Sequence, residues 1–254
     1  MNLIVLAAGK GSRLGHLTKK IPKVLMPLWK NKTILDYHLH NANAVSGIGH
    51  TFIISGFGDD LIKKFIETRE ATDQVDIIFN PFFGFSGPLG SLWMVGEKFI
   101  SQDFIICNGD TYFSKDFLFH LSQIQEQGIY LGIDRGKDFN EDDMKITQES
   151  GKIMEASKAI DFDKADGVSS GMLLVKGEKY RLEFYTALSA LVHEESNVKN
   201  NTPWHQLINR LKGMVNAVDM TGIAWHEVDT PADLKSLVRM LDNCENTYEN
   251  SLRK

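Results

Sequence analysis

Leu3-Ile4-Val5-Leu6-Ala7-Ala8-Gly9-Lys10-Gly11-Ser12-Arg13-Leu14 is the stretch that decides the fold. A short apolar run breaks directly into a glycine-rich loop that carries positive charge. Glycines let the backbone approach a ligand closely, and successive backbone N–H groups can cradle an anion. Arg13 adds a planar fork suited to phosphate oxygens. A second segment, Pro22-Lys23-Val24-Leu25-Met26-Pro27-Leu28, comes shortly after and presents Lys23 between two prolines. The two together point to a site for a nucleoside triphosphate.

Other phosphate loops are excluded. The dinucleotide fingerprint wants a third glycine or alanine where Leu14 stands, and an acidic residue after the second strand. Thr51-Phe52-Ile53-Ile54-Ser55-Gly56 offers none. No string matches the Walker pattern either. An ordinary strand-to-helix turn would also contain glycine, but a plain turn has no need of the proline-flanked Lys23 behind it.

Along the rest of the chain, short apolar strands alternate with helical stretches. Strands are predicted near residues 3–7, 51–55, 75–79, 103–107, 129–134, 168–175 and 225–228. Helices are predicted near 34–45, 59–70, 90–98, 114–127, 178–195, 203–212 and 231–242. Phe104-Ile105-Ile106-Cys107 is apolar on both faces, as a strand covered by helices must be. The alternation predicts an α/β fold with a mostly parallel sheet and ligands beyond the carboxyl ends of its strands. Residues 135–167 interrupt it. Met144-Lys145-Ile146-Thr147 and Lys152-Ile153-Met154-Glu155 flank Ser150-Gly151, which predicts a β-hairpin inserted over one edge of the site. One domain is expected over residues 1–254.

Composition narrows the partners. A net charge of −5 argues against nucleic acid and against a membrane surface. No apolar run is long enough to cross a bilayer, and the N-terminus lacks a basic leader region, so a cytoplasmic protein is expected. The two cysteines, Cys107 and Cys244, lie far apart. Cys107 falls in an apolar strand and reads as a buried thiol. The oligomeric state is not legible.

The chemistry lies at strand ends. Asn108-Gly109-Asp110 follows a buried strand, and Asp229 ends another in Glu227-Val228-Asp229-Thr230-Pro231-Ala232-Asp233. Two carboxylates at neighbouring strand ends suit a Mg²⁺ ion that bridges phosphates. Each also has an ordinary reading, Asp110 as a turn residue and Asp229 or Thr230 as a helix cap. None of the eight histidines has metal-ligand spacing. His205 and His226, each beside a tryptophan, read as packing or polar pocket residues. No nucleophile elbow occurs. A phosphate attacker would explain that absence. With a second pKa of about 6 it is already an anion, so the enzyme need only align two repelling phosphates and offset their charge.

In these segments the sequence resembles the sugar-phosphate and choline-phosphate nucleotidyltransferase family. Residues 6–14 and 22–28 look like its two signature segments. Gly87-Pro88-Leu89-Gly90-Ser91-Leu92 resembles its base and ribose loop, and Asn108-Gly109-Asp110 its metal-binding turn. Ile133-Asp134-Arg135, Glu141-Asp142-Asp143-Met144-Lys145-Ile146, Gly151-Lys152-Ile153, Ser157-Lys158 and Glu227-Val228-Asp229-Thr230 look like the bacterial phosphocholine cytidylyltransferase branch. Relatives of that branch use 2-aminoethylphosphonate or phosphoglutamine, often to decorate surface polysaccharide such as capsule. Residues 87–92 look more like a sugar-nucleotide enzyme's loop.

The resemblance implies a Rossmann-like sheet of the nucleotidyltransferase, GT-A-like type. It also implies CTP, Mg²⁺ and a small zwitterionic phosphorylated acceptor, with a CDP-linked product and pyrophosphate. Arg13 would hold the outer triphosphate and Lys23 the reacting phosphates. Asp110 and Asp229 would hold Mg²⁺, and Lys145 and Lys158, unranked, would lie near the acceptor phosphate. The nucleotide-binding set is Leu6, Ala7, Ala8, Gly9, Gly11, Gly87, Ser91 and Asp110. A quaternary ammonium would need an aromatic cage, for which Trp204, Trp225, Tyr180 and Phe139 are candidates. Asp134, Arg135, Glu141 and Asp142 suit an amino-acid-like head better, so phosphoglutamine is favoured over phosphocholine or 2-aminoethylphosphonate. The alternatives are a sugar-1-phosphate nucleotidyltransferase using UTP, dTTP or GTP, and a catalytically silent nucleotide-binding regulator.

Overall fold

Strand β1 (Asn2–Leu6) is buried on both sides, with Leu3, Ile4 and Val5 at most 1% exposed. Such a strand needs neighbours on both edges and helices on both faces. The computed structural model, which describes residues 1–69, 72–136, 138–194 and 202–252, supplies both. β2 (His50–Ser55) and β4 (Phe104–Asn108) flank β1 in parallel, and β3 (Val75–Phe79) extends the sheet beyond β2. Across the sheet the order is β3-β2-β1-β4-β9-β6-β10-β8-β7. β6 spans Gly128–Asp134, β7 Lys145–Glu149, β8 Lys152–Ser157, β9 Gly167–Lys176 and β10 Val215–Asp219.

The sheet is α/β but mixed. Its N-terminal four strands are parallel, whereas β9 runs antiparallel to both β4 and β6. β10 was not expected; it pairs in parallel with β6. β7 and β8 form a hairpin closed by Ser150 (φ 49°) and Gly151 (φ 77°). Positive φ at both turn residues matches the twist of a two-residue hairpin. The hairpin does not stand apart. β8 pairs with β10 and β7 with β9, so it completes the edge of the main sheet.

Helices fill both faces. On one, Leu89, Phe99, Phe184 and Leu188 pack on Ile4, Phe104 and Ile106. On the other, Leu35, Ile62, Phe117 and Leu121 pack on Leu3, Val5 and Ile105. A third cluster joins Leu14 and Leu28 to Leu237 and Leu241 of the closing helix Pro231–Leu252. That helix runs well past the predicted residue 242. Cys107 is a buried free thiol whose titration burial pushes far up; the Cys244 side chain lies outside the described residues, as do residues 70 and 195 of two predicted helices. Among the described residues no helix is long and apolar enough to cross a membrane.

Candidate active site

A cavity of about 740 Å³ opens beyond the carboxyl ends of β1 and β4. Its floor is the loop after β1. Gly11 takes φ +61°, and a Cβ there would lie 3.1 Å from the Cβ of Lys23. The glycine therefore lets the two signature segments touch. Lys23 starts a short 3-10 turn, Lys23–Leu25, and is 8% exposed.

Backbone contact fixes the second strand end. Gly109 N–H donates to Leu6 O at 3.0 Å, and a Cβ at Gly109 would come within 2.6 Å of that same oxygen. Only glycine allows this approach, and it sets Asp110 beside Lys23. β5 (Thr111–Phe113) then pairs antiparallel with β11 (Trp225–Glu227), and Val228 N–H donates to Asp110 O at 3.0 Å. This small ladder carries Glu227 and Asp229 to Asp110. One oxygen from each of the three carboxylates lies within 4.8 Å of the others.

The capping duty falls elsewhere than on Asp229. Thr230 and Asp233 form a reciprocal cap: Asp233 Oδ2 accepts from Thr230 N at 2.7 Å, and Thr230 Oγ1 accepts from Asp233 N at 3.3 Å. The Asp229 carboxylate is left to the cations. Lys23 Nζ donates to Asp110 Oδ2 at 2.8 Å and to Asp229 Oδ1 at 2.7 Å. Arg13 reaches Asp229 Oδ2 at 2.8 Å and Asp142 at 3.4 Å, and Lys158 reaches Asp142 at 3.5 Å. Burial alone would lower the Lys23 pKa; the Asp110 and Asp229 carboxylates outweigh it and hold the ammonium above its ordinary value. The result is a half-buried cluster of hard oxygen donors around a buried lysine.

Most residues expected from sequence line this cavity: Leu6, Ala7, Ala8, Gly9, Gly11, Arg13, Lys23, Gly87, Ser91, Asp110, Lys158 and Asp229. Lys145 does not. It is 1% exposed inside the base of the hairpin, where Nζ reaches Asn140 O and Asp143 O at 3.5 Å, over the Phe162 ring. The acidic and basic residues expected around a zwitterionic head also disperse. Asp134 accepts from Trp225 Nε1 at 2.8 Å, and Arg135 pairs with Asp219 at 3.3 Å; only Asp142 of that group reaches the wall. Of the four cage candidates, Trp204 alone lines the cavity, 1% exposed and donating to Asn108 Oδ1 at 2.9 Å.

Sequence reasoning missed several wall residues. Phe83 and Phe85 reach it from the loop after β3, and Ser169, Ser170 and Gly171 from β9. Asn80, fully buried, organises that loop: its Nδ2 donates to Ser86 Oγ at 3.1 Å and Ser91 Oγ at 3.0 Å. An asparagine followed by proline was a readable loop signal; the serines of β9 carried none.

The family model for the MobA-like NTP transferase domain matches residues 3–133, from β1 to β6 and through both strand ends that frame the cavity. The chain belongs to that family. The domain is similar to the CTP:phosphoglutamine cytidylyltransferase of Campylobacter jejuni, 26% identical over 92% of this chain and 98% of that protein. It is also similar to the choline-phosphate cytidylyltransferase of Streptococcus pneumoniae, 22% identical over 96% of this chain and 99% of that one. Among solved structures, an inositol-1-phosphate CTP transferase from T. maritima superposes with a TM-score of 0.75, at 23% identity over 94% of each chain, and shares the fold. The nucleotidyltransferase class expected from the two signature segments therefore holds.

Proposed function

We propose that this NTP transferase is a CTP-dependent cytidylyltransferase acting on a small phosphorylated acceptor. Phosphoglutamine is favoured over phosphocholine and 2-aminoethylphosphonate, and the product serves surface polysaccharide. The observation that carries the reading is the cluster of Arg13, Lys23 and Lys158 facing Asp110, Asp229 and Asp142 at the cavity. Such a site suits a reaction whose nucleophile arrives as an anion. An acceptor phosphate oxygen bonds to the α-phosphorus of CTP, the bond to the β-phosphate oxygen breaks, and pyrophosphate leaves with that electron pair.

Leu6, Ala7, Ala8, Gly9, Gly11, Gly87 and Ser91 would line the nucleotide. Arg13 would grip the outer phosphates in a bidentate manner. Lys23 would offset the repulsion between the two reacting phosphates, and Lys158 is the better placed of the two acceptor-side lysines. The carboxylates of Asp110 and Asp229, with Glu227 beside them, fit the hard oxygen donors that Mg²⁺ takes. When bound there, Mg²⁺ would neutralise charge on the triphosphate.

The test is a pyrophosphate-release screen of CTP, UTP, dTTP and GTP against phosphoglutamine, phosphocholine, 2-aminoethylphosphonate and sugar 1-phosphates. CTP with phosphoglutamine is expected to be fastest. Faster release with UTP, dTTP or GTP and a sugar 1-phosphate would replace the reading with a sugar-nucleotide one.

A further inference from the structure

His205 is a buried imidazole in the cavity wall that the proposed chemistry does not use. It stacks on Trp204 with ring centroids 4.1 Å apart, and it lines the cavity together with Lys158 and Ser169. Its Nε2 lies 2.9 Å from Ser169 Oγ, and that oxygen already accepts from Gly171 N–H at 3.1 Å. The serine carries one proton. Were the imidazole to donate to Oγ, the hydroxyl proton would have no acceptor among the described residues, in a side chain that is itself buried. The arrangement that gives both the serine proton and Nε2 a partner runs Gly171 N–H to Ser169 Oγ and Ser169 Oγ–H to His205 Nε2. It puts the ring proton on Nδ1. Nδ1 has no hydrogen bond among the described residues and is not sealed from solvent, and the ring it belongs to lines the cavity. Burial, aided by the charge of Lys158, pushes this imidazole down to about 3, so it keeps a single N–H throughout the neutral range.

A neutral, directed donor is not what a phosphate dianion calls for when Arg13, Lys23 and Lys158 stand nearby. It suits an oxygen whose direction must be read. We propose that His205 determines acceptor specificity, its Nδ1–H donating to a carboxylate or amide oxygen at the non-phosphate end of the acceptor. The acceptor class is thereby a phosphorylated compound with an oxygen-bearing head, not a bare alkylammonium. This rests on the cytidylyltransferase reading above.

The experiment compares phosphoglutamine with phosphocholine, whose head has no oxygen, using the full chain with CTP and Mg²⁺. His205→Asn keeps an N–H near the Nδ1 position and gives up Nε2. His205→Gln keeps a polar group near Nε2 and gives up the Nδ1 donor. His205→Gln should lower kcat/KM for phosphoglutamine by about tenfold or more, with phosphocholine and the KM for CTP within about twofold, while His205→Asn stays within about threefold throughout. Ser169→Ala, which leaves the ring in place but frees its tautomer, should cause a smaller loss of the same selectivity. It also keeps the test open if a His205 variant fails to fold. The reverse order, with Gln active and Asn impaired, or an equal loss with both acceptors, overturns the proposal and makes His205 a support for Ser169. Wild-type turnover of phosphocholine alone overturns it while the cytidylyltransferase reading stands. No pyrophosphate release from any acceptor overturns both.

Discussion

On the proposed reading, a metal ion would draw on the carboxylates that Lys23 now holds. Its ammonium sits 2.8 Å and 2.7 Å from oxygens of Asp110 and Asp229, whereas Mg²⁺ binds oxygens at about 2.0–2.1 Å. A metal at Asp110 and Asp229 would thus compete for their oxygens with this lysine. Replacing the lysine tests this competition. Lys23→Met should tighten Mn²⁺ binding in the absence of nucleotide by about tenfold or more, read by titration calorimetry or electron paramagnetic resonance, and should lower kcat by more than about tenfold. Asp110→Asn and Asp229→Asn should weaken Mn²⁺ binding and cut turnover by about a hundredfold. Unchanged metal affinity in Lys23→Met would show that lysine and metal do not compete. Asp110, Asp229 and Arg13 were legible because each follows a strand end or sits in a glycine loop, and Lys23 because two prolines flank its segment. The choice between Lys145 and Lys158 was not. It depends on which face of a hairpin each lysine takes, and that hairpin changes register between Thr147 and Gln148. A period-two reading cannot be carried across such a shift.

β9 shows the corresponding limit for an element. Residues 168–175 read correctly as a strand, but a strand buried on both faces looks the same whether it runs parallel or antiparallel, so its direction was hidden. β10 was missed because Val215-Asn216-Ala217-Val218-Asp219 alternates too briefly to stand out. A kink in β9 brings its wall residues to the cavity. Its register against β6 shifts between Leu131 and Ile133, and Gly171 takes φ +78°. A Cβ at that glycine would lie 2.4 Å from Asn108 Nδ2, and Asn108 in turn holds Trp204. Gly171→Ala therefore combines left-handed backbone strain with a clash against the half-buried Asn108 amide. It should destabilise the protein by about 2–4 kcal/mol. By calorimetry or circular dichroism, Tm should fall by about 5–10 °C. A variant that melts with the wild type would show that the strand relaxes without that glycine.

At the scale of the whole molecule, two buried neutral histidines make the fold sensitive to acid. Burial pushes His38 down to about 4, against weaker opposing contributions from Gly109 and Asp110, and pushes His205 down to about 3. In the unfolded chain both titrate near 6.5. Below that pH the unfolded chain binds protons that the native state refuses, so stability is full above pH 6.5 and falls as the pH drops toward 4. Each histidine contributes a slope of up to about 1.4 kcal/mol per pH unit. Tm should fall steadily from pH 7 to pH 5, and His38→Leu should blunt the slope; a flat profile would mean that the imidazoles are not held neutral. The matched family segment ends at residue 133, inside β6, yet the strand that separates β6 from β4 comes from outside it. Because β9 is shared in this way, residues 3–133 do not make a continuous sheet without the rest of the chain. A chain cut after residue 133 would leave two central strands, β4 and β6, without their common neighbour. On the proposed reading, a change of acceptor is then expected at the loops and wall positions around β9, whose pairing both parts of the chain share.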